Sequence, residues 1–109
     1  MAGPGAKLPL VTQPKLRLDK WLFQARFFRS RVAAADMVLD GGCRINRQPC
    51  AKPAHGVAVG DVLTFVQLRQ IRVIRVQHLS QRRGPAFEAV ALYDDLHPPS
   101  ALESPGPLD

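Results

Sequence analysis

Two short helices followed by a small, mostly antiparallel sheet and a C-terminal helix make an α+β domain, and three observations in the sequence predict it. Apolar residues recur at helical spacing over 18–25. Between residues 43 and 76 the pattern changes to β-branched, alternating runs. Gly41-Gly42 punctuates the change, because glycine takes the left-handed conformation that ends a helix.

Residues 1–15 carry Pro4, Pro9, Pro14, Gly3 and Gly5 and have little to bury, which predicts a disordered leader before a domain over 16–96. Leu18, Trp21, Leu22 and Ala25 then fall at i, i+3, i+4 and i+7, one face of a helix, with Phe27 and Phe28 extending the apolar surface. Trp21 belongs to the core on this spacing. Asp19 places a favourable negative charge in the first turn. Ser30, a good N-cap residue, opens a second helix whose inner face is Val32, Ala35, Val38 and Leu39.

Cys43 and Ile45 alternate with Arg44 and Asn46, a half-buried strand, and 47–49 breaks it in a turn. Val57 and Val59 follow in alternation, ended by Gly60-Asp61. The run 62–66 is apolar on both faces, as a central strand would be. A hairpin around Leu68-Arg69-Gln70, without the Asn-Gly signature, leads into a strand over 71–76. The apolar phase shifts between Val73 and Ile74, which predicts a bulge. Gly84-Pro85 opens a last helix with Ala86, Ala89, Val90 and Tyr93 as its stripe. His97-Pro98-Pro99 ends it, and 97–109 is a flexible, Pro-rich acidic tail.

A chain of 109 residues makes one domain at most, and its net charge of +6 with pI near 10.2 points to a polyanionic partner, a nucleic acid. The charge is uneven. Residues 17–83 hold thirteen Lys or Arg against four Asp or Glu, whereas 84–109 hold five acids and neither base. The anion-binding surface therefore belongs to the first part. Cys43 and Cys50 fit no zinc spacing and read as small, reduced thiols. With no apolar run of signal-peptide or membrane-spanning length, the expectation is a cytoplasmic protein with no membrane partner.

Enzyme chemistry finds little support. Gly41-Gly42 follows a helix and precedes a strand, the wrong order for a phosphate-binding loop, and no nucleophile elbow occurs. His55, His78 and His97 are scattered, and Asp36 and Asp40 fit a solvated helix face. No catalytic residue, metal or cofactor is expected.

The basic joint between the helices breaks a local rule. Arg29 and Arg31 flank the N-cap Ser30, where the helix dipole disfavours cations by a few tenths of a kcal/mol each. An anion docked there explains the arrangement. The helix-start amides, the Ser30 hydroxyl and the guanidinium groups of Arg26, Arg29 and Arg31 would together clamp a phosphate. Arg17, Lys20, Arg44, Arg47 and Lys52 extend the patch. Arg69, Arg72 and Arg75 read equally as contacts or as a solvated strand edge, and Arg82-Arg83 as a contact or an inert loop.

The stretches RLDKWL, AR-F, SR-AA and GG-R-I-N, with the VGD turn before an apolar strand, occur in an order and spacing that resembles the alpha-L RNA-binding motif of the ribosomal-protein-S4-like domain. The opening RLDKWLFQARFFRSR and the later QRRGPAFEAVALYDD are similar to the bacterial heat-shock protein 15 family, so the resemblance covers 16–96. It implies binding of structured RNA, ribosomal RNA of the large subunit, and recognition of large subunits blocked by nascent peptidyl-tRNA after heat stress. It also implies that Arg17, Lys20, Arg26, Ser30, Arg31, Asn46 and Lys52 contact RNA and that Asp19 is structural. Two departures stand out. Asn46-Arg47 replaces the family's usual Asn-Gly, and a short acidic tail replaces a long basic extension. A monomer is expected. The rival readings are a generic RNA-binding regulator, the stand-alone recognition module of an RNA-modifying enzyme, and a protein-interaction module using the hairpin edge.

Overall fold

The helical spacing around Trp21 becomes α1 (Leu18–Gln24) in the computed structural model, which describes residues 13–97. Most of the expected leader and acidic tail, residues 1–12 and 98–109, lies outside the described residues. A short strand β1 (Leu16–Arg17) leads into α1 and pairs antiparallel with β4 (Gly56–Val57). The loop before β4 serves the helix start: the Leu18 amide donates to the His55 carbonyl at 2.8 Å and the Asp19 amide to Pro53 at 3.1 Å. Leu18, Trp21, Leu22 and Ala25 are all buried, and the Trp21 indole donates to the His78 carbonyl at 2.9 Å.

α1 ends in a Schellman turn built without glycine. The Phe27 amide donates to Leu22 at 3.1 Å and the Arg26 amide to Phe23 at 3.0 Å, with Arg26 left-handed at φ +66°. The second helix, α2 (Arg31–Leu39), ends in the same device, Gly42 to Met37 and Gly41 to Val38, with Gly41 at φ +86°. Ser30 caps α2 as its type predicts, its hydroxyl accepting from the Ala33 amide at 3.0 Å.

The inner face of α2 differs from the expected one. Val32 is 69% and Leu39 61% exposed, while Ala34 and Val38 are fully buried. Arg31, Ala34 and Val38 share one face at i, i+3 and i+7; Ala34 and Val38 carry it into the core, and Arg31 on the same face meets Asp19 on α1.

The main sheet has the order β3-β2-β5-β6-β7, every pairing antiparallel. β2 (Cys43–Ile45) and β3 (Gln48–Pro49) form a two-residue hairpin across Asn46 (φ +50°) and Arg47 (φ +73°), so Gln48-Pro49 belongs to a strand and not to the turn. Pro49 is tolerated because β3 is a sheet edge. β5 (Val62–Gln67) is central, and with β6 (Gln70–Val76) it closes a second such turn over Leu68 and Arg69. Cys43, Ile45, Leu63, Phe65, Ile74 and Val76 bury one face of the sheet with α1, α2 and Phe27, whereas Val66 and Ile71 are exposed. Val59 is exposed too, and Ala58 is the buried neighbour of Val57.

The expected bulge is absent, since β5 and β6 pair in unbroken register through Thr64↔Val73 and Leu63↔Ile74. The phase shift arises because Arg72 occupies an inner position. Its guanidinium lies 5.1 Å from the Phe27 ring centroid and donates to Asp95 at 2.7 Å and Gln67 at 2.9 Å. Nor does β6 form an edge. The last helix is only α3 (Ala86–Ala89), continued by a 3-10 turn (Val90–Leu92), and Tyr93–Asp95 is β7, paired to β6. Extension places the Tyr93 ring 4.6 Å from Phe27 and the Asp94 and Asp95 carboxylates against Arg75 and Arg72, contacts that a longer helix would forfeit.

Candidate nucleic-acid interface

Asp19 sits in the first turn of α1 with only 6% of its side chain exposed. Arg17 grips it as a fork, Nε to Oδ1 and Nη2 to Oδ2, both at 3.0 Å. From the first turn of α2, Arg31 Nη2 stands 3.6 Å from Oδ1. Burial pushes the Asp19 carboxyl up, but the hydrogen bond and charge of Arg17, then the charge of Arg31 and the Lys20 amide, outweigh it and hold the carboxyl below its usual range. The same hydrogen bond and charge raise Arg17. Two guanidinium groups share one carboxylate, so the cluster stays cationic. With side chains 50% and 45% exposed, Arg17 and Arg31 present oriented donors to solvent, the arrangement that suits a phosphate.

The three arginines of the joint do not meet at one point. Arg31 goes to Asp19. Arg26 and Arg29 instead line a groove of about 490 Å³ with Phe28, Leu68 and Arg83. Arg26 Nε donates to the Gly84 carbonyl at 2.7 Å, and the Ser30 hydroxyl serves as the helix cap. Lys20 lines a different cleft, about 430 Å³, with Lys15, Leu16, His78 and Ser80. Arg44 lies exposed on the outer face of β2, Arg47 at the β2–β3 turn, and Lys52 in the loop before β4.

Asn46 has a structural task. Its side-chain carbonyl accepts from the Val62 amide at 2.9 Å and its Nδ2 donates to Asp61 at 3.2 Å, while Asp61 also accepts from the Ala58 amide at 2.9 Å. This network ties the β2–β3 turn to the start of β5.

Sequence reasoning gave Arg83 no definite role, yet it joins the groove. Its ring partner is Phe23, 4.6 Å from guanidinium carbon to centroid, and its Nε donates to the Phe23 carbonyl at 3.1 Å. No local signal reveals a contact across 60 residues. Burial, then the charge of Cys50, pushes the Cys43 thiol up to about 12, and among the described residues no cluster of His, Cys, Asp or Glu could hold a metal ion. Among the same residues no helix is long and apolar enough to cross a membrane.

Comparison with known proteins agrees with this layout. The S4 domain matches residues 16–63, the stretch from β1 to the start of β5 that holds the Asp19 cluster. Heat shock protein 15 of Escherichia coli (strain K12) is 37% identical over 81 residues, covering 74% of this chain and 60% of that one. The Aeromonas salmonicida homolog is 36% identical over 87 residues, 80% and 65% of the respective chains. The present chain thus spans less than two thirds of the length of these relatives. A trimeric structure of Vibrio cholerae heat shock protein 15 superposes with a TM-score of 0.70 at 38% identity, covering 75% of this chain and 82% of that one. The shared order of elements, at this identity and coverage, means that the chain belongs to the heat shock protein 15 family of RNA-binding S4-domain proteins.

Proposed function

We propose that this chain binds structured RNA by shape and phosphate contacts, without catalysis and without a cofactor, and that its target is ribosomal RNA of the large subunit. The observation that carries the reading is the pair of half-exposed guanidinium groups, Arg17 and Arg31, oriented by one nearly buried Asp19 within an S4 domain. Fixed donors suit the regular phosphate spacing of an A-form helix, whose deep, narrow major groove leaves its base edges out of reach. Lys20, Arg44, Arg47 and Lys52 supply further phosphate contacts. The binding unit is residues 16–96, acting in the cytoplasm on large subunits that carry stalled nascent chains after heat stress.

Fluorescence anisotropy with a short RNA stem tests the binding. Arg17→Ala with Arg31→Ala is expected to weaken it at least tenfold while the circular dichroism spectrum is kept. With about six phosphate contacts, log affinity falls with log salt at a slope near −5, flatter in the double variant. Unchanged binding by the variant overturns the site. Sedimentation of a low-salt lysate tests the target, since the protein should travel with large subunits. Migration with free RNA leaves RNA binding but removes the ribosomal role. The proposed unit of binding is a monomer, whereas the Vibrio cholerae relative is described as trimeric; sedimentation equilibrium of the purified chain, with and without RNA, decides between the two.

A further inference from the structure

The turn that closes the central hairpin has residues that neither conformation nor burial explains. Leu68 (φ +48°) and Arg69 (φ +66°) are both left-handed, the geometry for which Asn-Gly is the local preference. Leu68 is 88% exposed, so its side chain gains nothing from the core. The same substitution of sense occurs at Arg26, which takes the left-handed residue of a Schellman turn where α2 uses Gly41. Backbone strain of this kind clusters at ligand-binding and active sites.

Leu68 and Arg26 wall one groove. At about 490 Å³ it falls within the range of small-ligand clefts, roughly 300–1,000 Å³. Its apolar lining is Leu68, Ala33, Phe27 and Phe28, of which Phe27 is buried and Phe28 half-buried. Its charged surface is Arg26, Arg29 and Arg83, with no carboxylate among the lining residues. Arg29 makes no hydrogen bond or ion pair among the described residues, and Arg26 commits only its Nε, to Gly84. An apolar slot rimmed by three cations fits a flat, apolar-faced group that carries an anion.

We propose that this groove takes one unpaired nucleotide of the bound RNA, its base against Phe28 and Leu68 and its phosphate held by Arg26 and Arg29. The proposal rests on the RNA-binding reading above and refines it, because a paired base turns its faces into the stack and only a splayed base can reach an aromatic side chain. The Arg17–Asp19–Arg31 cluster, which lacks any aromatic neighbour among its partners, holds the stem; the groove holds the nucleotide beside it.

The test uses two RNAs with the same stem, one blunt and one with a single unpaired purine at the 3′ end, titrated with the full chain. The parent protein is expected to prefer the second about tenfold. The variant L68N puts a residue that tolerates the left-handed conformation at the turn and leaves the net charge unchanged, so it is expected to fold as well as the parent and to lose that preference while keeping blunt-stem affinity. Arg17→Ala with Arg31→Ala is expected to weaken both RNAs and keep the preference. Equal affinity of the parent for the two RNAs overturns the groove alone, as does a preference that survives in L68N or an equal loss on both RNAs. Failure of the parent to bind either RNA, with binding of an acidic peptide in its place, overturns the groove and the RNA reading together.

Discussion

Arg31, in the first turn of α2, reaches back to Asp19, in the first turn of α1, with Nη2 3.6 Å from Oδ1. The contact joins the two helices at their N-terminal turns and opposes the usual rule that places acids, not cations, at a helix start. The acid is present, supplied by the neighbouring helix.

Asp19→Asn keeps the shape of the side chain but removes the charge that both arginines share. Stability is expected to fall by about 1–2 kcal/mol, the scale of hydrogen bonds to charged groups tempered by the half-exposed arginines, and RNA affinity by several-fold as the donors lose their orientation. The pH dependence has a definite sign. The folded carboxyl titrates below its ordinary value of about 3.9, so its contribution is complete above that pH and is lost as pH falls through the lower, folded value. Thermal melts of parent and variant should therefore differ at pH 7 and converge once the pH has fallen below the ordinary carboxylate range. A constant difference across that range would show that the charge is not responsible.

Arg47 lies at φ +73° beside Asn46 at φ +50°, the two central positions of the β2–β3 turn. Glycine adopts this conformation without the Cβ clash, so Arg47→Gly is expected to stabilise the fold by about 0.5–1 kcal/mol in urea denaturation. The same variant loses one exposed cation and should bind RNA slightly less tightly. A stability gain with no change in the RNA salt slope would remove Arg47 from the interface.

The two thiols should behave differently. Cys43 is buried with its thiol pushed up to about 12, while Cys50 is half-buried. At pH 8 a maleimide is expected to modify Cys50 in the folded protein and Cys43 only in denaturant, as read by peptide mass spectrometry. Linkage adds a second expectation. The folded Cys43 holds its proton beyond the ordinary thiol value of about 8.5, so this contribution is complete below that pH and declines as pH rises toward 12.

Several features were legible because their signals are local. The spacing of Leu18, Trp21 and Leu22 stated which face of α1 is buried; Ser30 and Gly41 stated where α2 starts and stops. The end of α1 was less visible, since its left-handed residue is Arg26, and for the same reason at Arg47 the β2–β3 turn was expected over 47–49 where Asn46 and Arg47 form it. A left-handed arginine carries no compositional mark.

What the sequence by itself determined is the α+β order of elements, the uneven charge and the basic joint, all of which are sums over neighbours or repeats of a short period. Only the tertiary structure decided where each cation points. Arg31 turns to Asp19, Arg26 and Arg29 turn to the groove under Leu68, and Arg72 turns inward over Phe27 to meet Asp95. It also drew Tyr93–Asp95 out of the expected helix and into β7. The reason is common to all of them: a long side chain or a short segment settles on the partner that best satisfies its charge or its apolar area, and those partners can stand far off in the chain, as Gly84 stands 58 residues from Arg26.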